Sequence, residues 1–173
     1  MTTAIYPLKR ELEYTVLGLC SEAGELGLAY AEAKSSMWGF TSAAITDLLK
    51  EAGDCYWYVA AVADALNVDL QTIWESYAPQ TLELKSRGFL VVYISGRSGE
   101  MAGVVKKAIR DNDGFMSEAG AEKIKVQLGL TLIHLNELVR MLGSTPEAVT
   151  AKNLNKLADR KKRGVLQGSG DNR

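Results

Sequence analysis

Apolar residues return every three or four positions along most of this chain, and only three prolines, Pro7, Pro79 and Pro146, interrupt it. Long stretches with that period and without a breaker fold as helices that bury one face. Leu12, Thr15, Val16, Leu19, Ala23 and Leu26 mark one such face. Leu48, Leu49, Ala52, Cys55, Tyr56, Val59, Val62 and Leu66 mark a second, and Ile124, Leu128, Leu132, Leu135, Leu138 and Leu142 a third. No alternating pattern of comparable length occurs. Phe89 to Ile94 is one short strand candidate that reads equally as the start of a buried helix. Turn signals divide the helices: Ser35 to Phe40 with Gly39, then Asn67 to Asp69 with Asp69 as a cap, then Asp111 to Gly114. At Gly143 to Pro146 a glycine ends one helix, and a cap and a proline at the first helical position begin the next. The expected fold is all-α, a helical bundle of about six helices.

Size and charge narrow the function classes. The chain has 173 residues, enough for one ordinary domain with its own core. Twenty Lys and Arg against 21 Asp and Glu leave a net charge of −1, which argues against a general nucleic-acid or acidic-membrane binder. The two cysteines, Cys20 and Cys55, lie in apolar helical stretches and suit small buried side chains in a reducing compartment. The first ten residues contain no apolar core of signal-peptide length, and the apolar run Cys55 to Ala63 is far short of the ~20 residues that span a bilayer. The expectation is a cytoplasmic protein without nucleic-acid or membrane partners.

The two halves resemble each other at an offset of about 76 residues. Ser21 to Glu25 lies over Gly96 to Glu100, Gly53 over Gly129, Ala65-Leu66 over Met141-Leu142, and Lys85 to Phe89 over Lys161 to Val165. A one-residue difference in the intervening turn reconciles these pairings. A tandem duplication follows, with residues 1–89 as the first repeat and 90–173 as the second, the pair forming one compact unit.

Two motifs in the first half carry chemistry, Glu22-Ala-Gly-Glu25 and Glu51-Ala-Gly-Asp54. Each sets two carboxylates three residues apart on one helix face. Gly24 and Gly53 each cost about 1 kcal/mol inside a helix, a cost that close helix–helix approach would offset. Counted from a turn at Gly39, Glu25 and Glu51 lie about 21 Å and 18 Å along their helices, so an antiparallel hairpin brings the pairs to one height. Four converging carboxylates repel one another unless a cation neutralises them, and all-oxygen ligation suits Mg²⁺ or Mn²⁺. The bland alternative is a pair of solvated helix faces. Two matched pairs, each enclosing a glycine, favour the metal site.

At these residues the sequence resembles the MazG-like all-α nucleoside triphosphate pyrophosphohydrolases, whose relatives include dimeric dUTPases and phosphoribosyl-ATP pyrophosphohydrolases. The carriers are Leu19-Cys-Ser-Glu-Ala-Gly-Glu25, Leu49-Lys-Glu-Ala-Gly-Asp-Cys-Tyr-Trp-Tyr58, and the chain's end from Asn153 through Gly164 to Arg173. The second half departs from that pattern. Arg97 stands where Glu22 would repeat, Gln127 for Glu51 and Leu130 for Asp54, while Glu100 persists. Yet it keeps Val105 to Asp111, similar to the basic segment that follows the first motif in that family, and the Asn153, Lys156, Arg160 helix, whose first-half counterparts are Tyr77, Gln80 and Leu84. The resemblance thus implies complementary loss: a fused homodimer with one composite site, its carboxylates from the first half and its basic groups from the second.

The resemblance also implies the reaction, Mg²⁺-dependent hydrolysis of a (deoxy)nucleoside triphosphate to the monophosphate and pyrophosphate. In that scheme Glu22, Glu25, Glu51 and Asp54 hold the metal, and Glu22 or Glu25 acts as the catalytic base. Lys106, Lys107, Asn153, Lys156 and Arg160 bind the phosphates, with Lys34 a weaker candidate. Lys106 and Lys107 equally suit a solvated face. Trp38, Phe40, Trp57 and Tyr58 suit core packing better than base stacking, and His134 suits a satisfied core position. The Gly168 to Arg173 tail is too polar and glycine-rich for packed helix, and the resemblance gives it a place over the substrate. Alternatives are a dUTPase-type enzyme and a nucleotide-binding regulator without turnover. The chain is expected to act as a monomeric pseudo-dimer or as a homodimer of it.

Overall fold

The computed structural model describes residues 10–77 and 86–164, and within them the chain forms six helices. They are α1 (Glu11–Ser35), α2 (Ser42–Ala65), α3 (Leu70–Tyr77), α4 (Arg87–Asp111), α5 (Glu118–Met141) and α6 (Pro146–Lys162). The strand candidate at Phe89 to Ile94 is the first part of α4. The fold is the expected all-α bundle. The division placed after residue 89 falls inside the first turn of α4, which begins at Arg87 after its cap Ser86.

Side-chain caps define most helix starts. Thr41, Ser86, Ser117 and Thr145 each accept a hydrogen bond from a backbone N–H three residues on, at 3.1–3.2 Å. Asp69 does the same for Thr72 at 2.9 Å. Each such cap contributes about 1 kcal/mol. Helices α2 and α5 end alike, with left-handed backbone at Asn67 (φ 52°) and Gly143 (φ 80°) turning the chain into the next helix. The tail from Gly168 onward, and the counterparts Gln80 and Leu84, lie outside the described residues.

The four long helices make the core. α1 packs on α2, α4 on α5, α1 on α4 and α2 on α5. Leu19, Leu26, Leu48, Val59, Leu90, Ile94, Met101, Leu128 and Leu135 are all fully buried between them. The two short helices cross over: α3 packs on α5 of the other half, and α6 packs chiefly on α2. Buried faces also recur. Thr15, Val16, Leu19, Ala23 and Leu26 of α1 correspond to Leu90, Val91, Ile94, Ser98 and Met101 of α4 with a shift of 75 residues. Leu48, Ala52, Gly53, Cys55, Val59, Val62 and Ala63 of α2 correspond to buried residues of α5 with a shift of 76. The extra residue enters at the turn between the paired helices.

Buried polar groups find partners, as a dry interior requires. Tyr56 Oη donates to Asn136 Oδ1 at 2.7 Å, and Thr131 Oγ1 to the Gln127 carbonyl at 2.8 Å. His134 is buried, hydrogen-bonded through Nδ1 to the Leu130 carbonyl, and stacked on Tyr93. It is the satisfied core residue the sequence suggests. Among the described residues no helix is long and apolar enough to cross a membrane.

Candidate functional site

The α1–α2 hairpin brings the two motifs together. Glu22, Glu25 and Glu51 each place a carboxylate oxygen within 4.8 Å of the others. Both helices dictate this from local phase: Ala23 and Leu26 point into the core, so Glu22 and Glu25 flank that stripe on one side. Ala52 and Cys55 do the same for Glu51 and Asp54.

The electrostatics are those of crowded acids, with Glu22 and Glu51 half-buried and Glu25 exposed. The Glu22 carboxyl is pushed up to about 7, first by burial and then by the charges of Asp54, Glu25 and Glu51. Burial also raises Glu51, opposed by Lys50, whose Nζ lies 3.2 Å from Glu51 Oε1. Cys55, buried behind them, is held well above the ordinary thiol range by burial and by all four carboxylates.

Asp54 differs from the other three. Lys156 Nζ donates to both its oxygens at 2.6 Å, and Asn153 Nδ2 donates to Oδ1 at 2.6 Å. Both donors come from α6, about a hundred residues away in sequence. The side chains are only 18% and 23% exposed at Asp54 and Lys156, so this pair is sheltered and stronger than a surface ion pair. The four-carboxylate set of the sequence reading is therefore three converging acids with a fourth engaged by a lysine and an amide. Arg160 follows one turn beyond Lys156 and is itself buried at 6% exposure.

The remaining candidates separate cleanly. Lys106 and Lys107 are not brought to the carboxylates: Val105 is the buried residue of that turn, so the next two positions rotate out to solvent. Lys34 is exposed in the last turn of α1. Trp38 is 80% exposed in the α1–α2 turn, far along the hairpin from Glu25. Phe40 packs on Tyr30 and beneath Arg87. Tyr58 meets Trp57 edge to face and lies on Gly18, where an added Cβ would fall 2.0 Å from its ring. These contacts make Tyr58 a packing residue at the border of the carboxylates.

Two lysines that the sequence reading passed over also belong here. Lys50 pairs with Glu51, and Lys152 lies beside Asn153 on the rim of a cavity between α2 and α6. The available signal was the run Lys152, Asn153, Lys156, whose spacing places all three on adjoining faces of one helix.

The glycines in the two motifs play unlike parts. A Cβ on Gly53 would meet Asn153 Cβ and Nδ2 at 3.3 Å, so the missing side chain lets α6 approach α2 and Asn153 reach Asp54. A Cβ on Gly24 meets nothing within 4 Å, and the expected close approach does not occur there. Gly24→Ala is expected to stabilise the protein by about 1 kcal/mol, a gain of roughly 2–4 °C in melting temperature. Gly53→Ala should show no such gain because the contact with Asn153 offsets the helix preference. Equal gains for both variants in thermal melts would contradict this assignment.

The second half holds the counterpart of the carboxylate site in altered form. Arg97, at the Glu22 position, donates from Nη1 to Gln127 Oε1 at 3.1 Å, and the same nitrogen lies 3.4 Å from Glu100 Oε2. Gln127 and Glu100 occupy the positions of Glu51 and Glu25. Its guanidinium also lies over the Tyr93 ring, 5.2 Å from the centroid. A built-in cation stands where the first half presents only acids.

No family model and no solved structure matches this chain. The Gene 37 protein of Mycobacterium phage L5 is 38% identical over 90 residues, which are 52% of this chain and 79% of the phage protein. Identity at that level across most of the relative reflects common descent. The chain belongs to the same family as the Gene 37 protein of Mycobacterium phage L5.

Proposed function

We propose that this protein hydrolyses a (deoxy)nucleoside triphosphate between the α- and β-phosphates, giving the monophosphate and pyrophosphate at one composite site. The observation that carries the reading is the meeting of Glu22, Glu25 and Glu51 from the first half with Asn153 and Lys156 from the second, joined through Asp54. This arrangement sets acids that suit a divalent cation beside donors that suit phosphate oxygens. The MazG-like resemblance supplies the bond to be cleaved, and the recurring buried faces support an origin by tandem duplication.

The donor set fits Mg²⁺ or Mn²⁺. Three hard oxygen donors lie close together, a set that suits such an ion. Glu22, Glu25 and Glu51 would hold the ion, with Asp54 alongside. A bound ion supplies neutralisation of these acids and polarisation of phosphate oxygens. Glu22 or its neighbour Glu25 on the same face of α1 would take the proton of the attacking water. Lys156 and Asn153 meet the charge developing on the phosphates, and buried Arg160 supports that wall of α6. Lys106 and Lys107, exposed on α4, are not among the groups this reading uses.

The altered second site gives a test of its own. Because Arg97 already occupies it, Mn²⁺ titration should reveal binding at the first-half acids alone, and Glu51→Gln should remove stoichiometric binding. Binding that persists undiminished in Glu51→Gln would contradict the assignment. Hydrolysis itself is tested by identifying the products from a panel of nucleoside triphosphates.

A further inference from the structure

We propose that the cavity between α2 and α6 is a binding site for a pyrophosphate-class anion, held by Lys50, Lys152 and Lys156. The cavity has a volume of about 260 Å³, several times the ~30 Å³ of a water molecule. Its floor is apolar, formed by Leu49 and Val149 around the bare backbone of Gly53. Its rim carries the three lysines. Their ammonium groups offer charge-assisted hydrogen bonds to an anion seated between them.

The lysines are not equivalent. Lys50 and Lys156 stand as counterions to Glu51 and Asp54, at 3.2 Å and 2.6 Å. Lys152 pairs with no carboxylate among the described residues, and its charge is available to the cavity. Ser144, immediately before the cap of the 17-residue helix α6, also lines the cavity, so the positive end of that helix adds to the same field. Among the described residues no aromatic side chain lines the cavity, which leaves a base nothing there to stack on. Lysines on an apolar floor suit a compact polyanion.

The site shares Lys156 and Asn153 with the carboxylate cluster, which puts an anion here next to the phosphate chain of a substrate at the acids. The choice of anion rests on the hydrolytic reading, in which pyrophosphate leaves. The cavity and its lysines stand on geometry.

The test is isothermal titration of the full chain with inorganic pyrophosphate, with a chelator present and again with Mg²⁺. Wild type is expected to bind, Lys152→Ala to bind at least about fivefold more weakly, and Lys152→Arg to keep most of the affinity because the charge remains. Absence of pyrophosphate binding in both conditions, or equal affinity for wild type and Lys152→Ala, overturns the proposal. Steady-state kinetics separate the sources of the anion. If the site takes the terminal phosphates of substrate, Lys152→Ala raises KM together with the inhibition constant of pyrophosphate. If it takes only the released product, the inhibition constant rises alone. Lys152-dependent pyrophosphate binding without nucleotide hydrolysis would refute the hydrolytic reading and leave the anion site standing. Hydrolysis without such binding would refute the anion site alone.

Discussion

Glu51→Gln is expected to lower metal-dependent turnover by about 10³-fold, equivalent to ~4 kcal/mol of transition-state stabilisation. Glu51 is the one acid of α2 in the converging trio, and its side chain is only 12% exposed. Replacing one carboxylate oxygen by an amide N–H removes a ligand and turns a donor toward the ion. The fold should not suffer. Burial and the neighbouring acids raise the Glu51 carboxyl in spite of the opposing Lys50, so a neutral isostere relieves a net penalty in the metal-free protein. At pH 8 the metal-free melting temperature of Glu51→Gln is therefore expected to rise while activity collapses. A variant that loses activity and melts lower would point to structural damage instead.

The second large effect is a dependence of stability on pH that metal abolishes. Glu22 has an ordinary value of 4.5 and is pushed up to about 7 in the folded chain. The folded state therefore holds this proton more tightly than the unfolded state does. The stability linked to it is full below about pH 4.5 and is lost as the pH rises through 7. Glu51 shifts in the same direction and adds to the trend. Asp69 and Asp111 are lowered by Thr72 and Arg110 respectively, so their contributions are lost at the acid end. The metal-free protein should thus be most stable on the acid side of neutrality and should weaken from there to pH 8. Saturating Mg²⁺ or Mn²⁺ competes with the proton at the acids, so it should stabilise more at pH 8 than at pH 5. Thermal melts at both values, with and without the ion, check it. A metal-induced shift as large at pH 5 as at pH 8 would contradict the assignment of Glu22 to the site.

The parts legible in the sequence were those set by local rules. Helix phase places Glu22 beside Glu25, and Glu51 beside Asp54, without any tertiary information. The Gly143 to Pro146 signal marks the end of α5 and the start of α6, and the repeat offset anticipates which residues of α4 and α5 are buried. What was not legible depends on contacts between distant segments. The hold of Lys156 and Asn153 on Asp54 spans 99 residues or more. It turns an apparent fourth ligand into a link between the halves. Gly24 and Gly53 look alike in sequence, yet only Gly53 has a helix lying against it. Lys106 and Lys107 illustrate the opposite case: their sequence segment suggests phosphate binding, yet the buried Val105 turns both to solvent.

Substitution at Arg97 shows how the halves differ in chemistry while sharing a frame. A guanidinium that bridges Gln127 and Glu100 supplies positive charge at this position from the chain itself. Its α6 then serves the acids of the first half.

Product analysis on a panel of ribo- and deoxynucleoside triphosphates, with and without Mg²⁺, tests the central claim most directly. The composite site predicts monophosphate plus pyrophosphate, formed only with the ion and abolished by Glu51→Gln. Diphosphate plus orthophosphate would contradict the bond assigned, and metal-dependent nucleotide binding without any product would make this protein a nucleotide-binding regulator rather than an enzyme.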